Sequence, residues 1–158
     1  MGAADHGWVN GLRRKYYPAE RNHVDAHITL FHHLPPAYLR EIKARLSAMA
    51  AQYPPPTAWL SDVMLLDRGV AYRAESPELL AMRAELMDAL SGLLIPQDQA
   101  PPRLHITVQN KVEPHAAKAL YAELSAGVAP RQLDITGFAA YYYRGGPWEP
   151  IGAWSFRG

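Results

Sequence analysis

Two short stretches of the chain repeat the same residue types, His27-Ile28-Thr29-Leu30 and His105-Ile106-Thr107-Val108. On an extended strand alternate side chains share a face, so His27 goes with Thr29 and His105 with Thr107. Ile28, Leu30, Leu104, Ile106 and Val108 then point the other way, toward a core. Each copy offers one imidazole and one hydroxyl on its polar face. Two imidazoles on opposite sides of a phosphate make an acid–base pair: one takes a proton from water and the other gives one to the leaving oxygen. Two hydroxyls would hold the non-bridging oxygens, whose charge grows toward the transition state. That chemistry calls for no metal. One His-x-Thr on a strand is close to noise, but a second copy at a matching place in the chain is not. A histidine on a half-buried strand is also costly unless its ring nitrogens are used.

The elements that must hold these residues are legible from periodicity and punctuation. Trp8, Leu12 and Tyr16 at helical spacing, with Asp5 as N-cap, predict a helix over 5–16. Residues 25–31 alternate and read as a strand, ended by Pro35-Pro36. Leu39, Ile42, Leu46 and Met49 mark a helix over 36–52, which Pro54-Pro55-Pro56 stops. Strands over 58–66 and 70–75 flank the turn Asp67-Arg68-Gly69. Ser76-Pro77-Glu78 opens a helix to about Leu93, and a loop at 96–102 leads to a strand over 103–109. A helix over 114–127 and a hairpin of 132–143 with 149–156, turning at Gly145-Gly146-Pro147, complete the chain.

A shift of 78 residues lays the second half over the first: helix, strand, helix, hairpin, twice. The expected fold is therefore α+β and internally duplicated, one domain over 1–158 with lobes from pseudo-repeats 5–75 and 76–156. If a pseudo-two-fold relates the halves, the two His-Thr faces meet across a shared cleft. Strand 70–75 precedes the second-half helix, whereas nothing strand-like precedes the first. That asymmetry suggests a first strand missing from the sequence.

Composition narrows the function. With 158 residues, 49% hydrophobic and 20% charged, the chain is neither disordered nor too short for a core. Sixteen Lys+Arg against fifteen Asp+Glu leave a net charge of +1, enough to grip a few phosphates but not to coat a duplex. There is no cysteine, which removes disulfides, thiolate catalysis and Cys-based zinc sites. No apolar run nears the ~20 residues of a membrane span, and the N-terminus lacks the features of a signal peptide. A cytoplasmic monomer with no membrane partner is the expectation.

The paired motifs and their surroundings resemble the two-histidine (2H) phosphoesterase superfamily, in its bacterial 2′-5′ RNA ligase-like branch of RNA 2′,3′-cyclic phosphodiesterases. The resembling segments are Pro18–His23, His27–Pro36, His105–Pro114 and Tyr143–Trp148. The resemblance implies a bilobal fold, two antiparallel sheets around a central cleft with helices outside, and phosphodiester hydrolysis without a cofactor. His27 and His105 would be the catalytic pair, and Thr29 and Thr107 the phosphate-holding hydroxyls. Many relatives have an arginine soon after the second motif, where this chain has Gln109-Asn110-Lys111.

Other residues carry weaker signals. Arg103, Gln109 and Lys111 share strand parity with His105 and are candidates to border the site; Phe31 shares the parity of His27. Tyr143 and Trp148 in the closing hairpin are candidates for base stacking, although hairpins favour aromatics anyway. Arg13-Arg14-Lys15 with Arg21 reads as a solvated helix end. His33 shares a face with His27 but lies about 20 Å along a strand from it, too far to bind one ion, so no metal site is expected. The substrate expected is a 2′,3′-cyclic phosphate, or a related 2′-phosphodiester, at an RNA terminus or on a cyclic nucleotide. An idle RNA-end-binding module using the same cleft is the alternative, and it has no need of two titrating groups.

Overall fold

Apolar periodicity and proline punctuation place most element boundaries within a few residues of expectation in the computed structural model, which describes residues 1–145 and 147–158. Helix α1 (Ala3–Tyr16) has Gly2 at its N-cap rather than the expected Asp5. Asp5 sits instead in the first turn, near the helix's positive end, where its carboxylate takes the Arg131 guanidinium at 2.6 Å. A 3₁₀ turn at Pro36–Tyr38 leads into α2 (Leu39–Gln52), which buries Ile42, Leu46, Met49 and Ala50. Strands β1 (Thr57–Leu66) and β2 (Gly69–Glu75) form the expected hairpin. The Ser76 hydroxyl caps α3 (Pro77–Ala89) by accepting from the Leu79 N–H at 3.2 Å. The stretch expected as a loop contains one helical turn, α4 (Pro96–Gln99), started by its proline. Then come β3 (His105–Gln109), α5 (Pro114–Ser125), β4 (Arg131–Asp134), β5 (Gly137–Tyr142) and β6 (Glu149–Ser155).

The strand expected over 132–143 is two strands. Leu133 and Ile135 are buried at odd positions and Phe138 at an even one, a change of phase that one strand cannot satisfy on one face. The chain accordingly leaves one sheet after Asp134 and enters another at Gly137. The turn beyond β5 includes Gly146, which lies outside the described residues.

The architecture is α+β, with two compact units that interleave along the chain. One comprises Met1–Thr29, Ala58–Glu75 and Arg103–Leu133. Its four-stranded sheet has the order β3-β2-β1-β4, and β1–β2 and β2–β3 are antiparallel. Helix α1 packs on β3 and α5 on β2, with the Trp8 and Tyr72 rings 5.5 Å apart. Gly69 permits the close approach of β2 to β3, because a Cβ there would lie 2.0 Å from the Gln109 carbonyl oxygen. The other unit comprises Leu30–Thr57, Ser76–Pro102 and Asp134–Gly158. There α2 packs on the β5–β6 hairpin, Phe138 and Phe156 meet edge to face at 4.9 Å, and the last two N–H groups donate to Ala50 and Tyr53. Each unit draws on both halves of the sequence, so the compact units differ from the lobes 5–75 and 76–156. The cause is strand exchange: β1 and β2 pair with β3 and β4 of the other half, and α2 packs on a second-half hairpin.

Candidate functional site

All four residues of the paired motifs belong to the first unit. The first motif forms no strand, contrary to expectation over 25–31. The reason lies in α1, which presents His6, Asn10 and Arg13 at helical spacing, on one stripe. The Asn10 Oδ1 accepts the Ala26 N–H at 2.8 Å, and Arg13 donates to the Val24 carbonyl at 2.8 Å and to Asn22 Oδ1 at 2.7 Å. His6 lies 3.4 Å from the Asp25 carboxylate. Side chains thus satisfy backbone groups that a neighbouring strand would otherwise pair. Arg13 is buried, not the solvated helix end its sequence context suggests.

Arg13 also reaches the second motif. Its other terminal nitrogen donates to the Thr107 carbonyl at 2.6 Å. The Leu104 carbonyl accepts from Ala74 on β2, so by alternation the Thr107 carbonyl points to the outer edge of β3. One guanidinium therefore ties Asn22 and Val24, just ahead of the first motif, to that edge.

The two histidines are anchored alike. The His27 Nδ1–H donates to the Asp25 carbonyl at 2.7 Å, and the His105 Nδ1–H to the Arg103 carbonyl at 2.6 Å. A carbonyl only accepts, so in each neutral ring Nδ1 carries the proton and Nε2 the lone pair. Burial lowers the His27 pKa below the ordinary imidazole value; the Asp25 carbonyl opposes this, and the positive charges of Arg13 and His105 reinforce it. Thr29 and Thr107 are half-buried, and their hydroxyls make no hydrogen bond to any described residue.

The sheet register places the remaining candidates. Across β2 and β3, Arg73 faces His105, Ala71 faces Thr107, and Val70 faces Gln109. The register slips between Val70 and Ala71, leaving Val108 as an extra residue in β3. This bulge turns Gln109 to the face of Val70, opposite His105 and Thr107, so it does not border the site as its parity suggests. The Gln109 side-chain oxygen is buried there without a hydrogen-bond partner among the described residues. Lys111 lies beyond the strand with φ 60°, exposed, and does not share the strand's parity. Arg103 precedes β3, exposed, and contributes its carbonyl to His105. Asn10 and Arg73 are not singled out from the sequence, and Arg13 is assigned there to solvent. The signals for them were a polar stripe at helical spacing and one arginine in the otherwise apolar run Val70–Ala74.

Phe31, Tyr143 and Trp148 belong to the second unit. Phe31 lies beneath the Arg83 guanidinium at 4.9 Å, and that arginine donates to the Leu30 carbonyl at 2.9 Å. Asp98, 1% exposed, accepts from the backbone N–H groups of His32 and His33 at 2.8 Å each and from the His32 ring at 2.9 Å. Burial raises the Asp98 pKa, but these three hydrogen bonds outweigh it and hold the carboxyl below its usual range. Tyr143 and Trp148 are exposed and pack on each other at 5.6 Å. Among the described residues, no group of three His, Cys, Asp or Glu side chains is placed to hold a metal ion.

Two imidazoles with aligned tautomers and two unengaged hydroxyls in one unit have the composition to receive a phosphate and move protons on it. Comparison with known proteins bears on this arrangement. The family profile of the 2′-5′ RNA ligase superfamily matches residues 2–147. The crystal structure of TT0787 of Thermus thermophilus is similar in fold, with a TM-score of 0.62 and 18% identity over 100% of this chain and 94% of that one. A search of curated proteins finds no match.

Proposed function

The chain belongs to the 2′-5′ RNA ligase superfamily of two-histidine phosphoesterases, and on that premise we propose that it hydrolyses 2′,3′-cyclic phosphates, or related 2′-phosphodiesters, at RNA ends or on nucleotides. The observation that carries this reading is the matched anchoring of His27 and His105, each with Nδ1 fixed on the carbonyl two residues back. This orientation leaves each Nε2 as the nitrogen that exchanges a proton.

His27, kept neutral by burial and by neighbouring positive charge, is the base. It takes a proton from water as the oxygen attacks phosphorus. His105, in its protonated form, gives a proton to the departing ribose oxygen, so the phosphodiester bond opens to a monoester. Thr29 and Thr107 donate hydrogen bonds to the non-bridging oxygens, where negative charge accumulates. No step calls for a metal. The net charge of +1 suits a nucleotide or chain end better than a long duplex.

The test is to incubate the protein with adenosine 2′,3′-cyclic phosphate and follow the phosphorus resonances. Conversion to a single monophosphate isomer is expected, because fixed acid and base positions select one leaving oxygen. An unchanged cyclic phosphate would contradict the proposal.

A further inference from the structure

On the sheet face that carries His105 and Thr107, the residue directly opposite His105 is Arg73 on β2. Neighbouring strands lie about 4.8 Å apart, and directly opposite side chains share a face, so the Arg73 side chain leaves the sheet on the same face as the imidazole and next to it. Arg73 is half-buried, yet no described residue forms an ion pair, hydrogen bond or ring contact with its guanidinium. Its other cross-strand neighbour is Asp62 on β1. That carboxylate accepts its own chain's Val63 N–H at 2.7 Å and makes no ion pair with Arg73. Glu75, two residues along the strand, is engaged with the Ser61 hydroxyl at 2.7 Å. A half-buried guanidinium with five donors and no acceptor among the described residues is available to an anion.

The order of groups across the sheet defines which anion. Arg13 ties Asn22 and Val24, just ahead of the first motif, to the outer edge of β3; His105 stands on β3, and Arg73 stands one strand further in. A phosphate gripped by the two histidines lies on the outer side of His105, so Arg73 is displaced from it toward the inner side. We propose that Arg73 forms an anion subsite adjoining the two-histidine site, and that it takes a second phosphate of the substrate, one ribose away from the reacting phosphate. The substrate class is thereby narrowed to nucleotides that carry a further 5′-phosphate or 5′-phosphodiester, as an RNA terminus does. This rests on the phosphoesterase reading above.

Calorimetric titration with adenosine 3′-monophosphate and adenosine 3′,5′-bisphosphate at low salt tests the subsite. The wild-type protein should prefer the bisphosphate by about tenfold or more, the range of a hydrogen-bonded charged contact. Arg73→Gln should bring that ratio close to one. Arg73→Lys should retain part of it, since the charge remains and the bidentate fork does not. Arg45→Gln, which removes the same charge from an exposed pair with Glu41, should keep the wild-type ratio. A wild-type protein that does not discriminate, or an Arg73→Gln protein that still does, overturns the proposal. Turnover of adenosine 2′,3′-cyclic phosphate by the same samples separates the two failures. Turnover without discrimination removes the subsite alone, whereas absence of both turnover and binding removes the phosphoesterase reading with it.

Discussion

A histidine acts as a base only while it is neutral, and burial keeps His27 neutral to lower pH than a free imidazole. The acidic limb of the kcat/KM profile should therefore lie below the ordinary value of about 6.5. A limb at or above that value would contradict the assignment of His27 as base. The same shift has a consequence for stability. The unfolded ring binds a proton more readily, so the contribution of His27 is present above about pH 6.5 and is lost as pH falls through the lower folded value. Urea unfolding of the wild type against His27→Gln across that window measures it: the wild type should lose more stability on acidification. If Thr29 and Thr107 hold the phosphate as proposed, Thr29→Ala and Thr107→Ala each remove one hydrogen bond to it. Each should cost kcat about 1.5–3 kcal/mol of transition-state stabilisation, less than loss of either imidazole. Unchanged kcat in both variants would place the phosphate elsewhere.

At the scale of elements, the first motif is held by a helix face rather than by a strand ladder. Arg13→Met would leave the Thr107 and Val24 carbonyls and Asn22 without their donor. A loss of stability of order 1–3 kcal/mol per stranded buried group follows, read by chemical denaturation. It also removes a positive neighbour of His27, so the acidic limb of the rate profile should move up toward the ordinary imidazole value. A profile unmoved by Arg13→Met would show that this charge does not act on His27. The sequence makes the helices and the β1–β2 hairpin legible because apolar spacing and proline punctuation are local signals. It does not disclose the bulge at Val108, since simple alternation assigns Gln109 to the same face as His105. Nor does it disclose that residues 25–31 lack a ladder, because the partners that replace one come from a helix ten to twenty residues upstream. His27, Thr29, His105 and Thr107 are visible through repetition; Arg13 is not, because a basic helix end ordinarily faces water.

At the scale of the molecule, both compact units are assembled from non-contiguous segments. Separate fragments 1–75 and 76–158 should therefore give neither unit, and their amide spectra should lack the dispersion of the intact chain; a well-dispersed spectrum from either alone would contradict this. Among the described residues no helix is long and apolar enough to cross a membrane. The donor set offers no three-residue metal cluster there either, so turnover should persist after treatment with EDTA. Loss of turnover on chelation, restored by a divalent ion, would refute two-histidine catalysis without a metal. The central claim is that His27 and His105 act as one acid–base unit, and it is tested most directly by steady-state turnover of a nucleoside 2′,3′-cyclic phosphate. Wild type, His27→Ala, His105→Ala and the double variant are compared. Each single change should lower kcat by about 10²–10⁴-fold, and the double variant should lose far less than the product of the two. Near-normal turnover by both single variants would contradict the account.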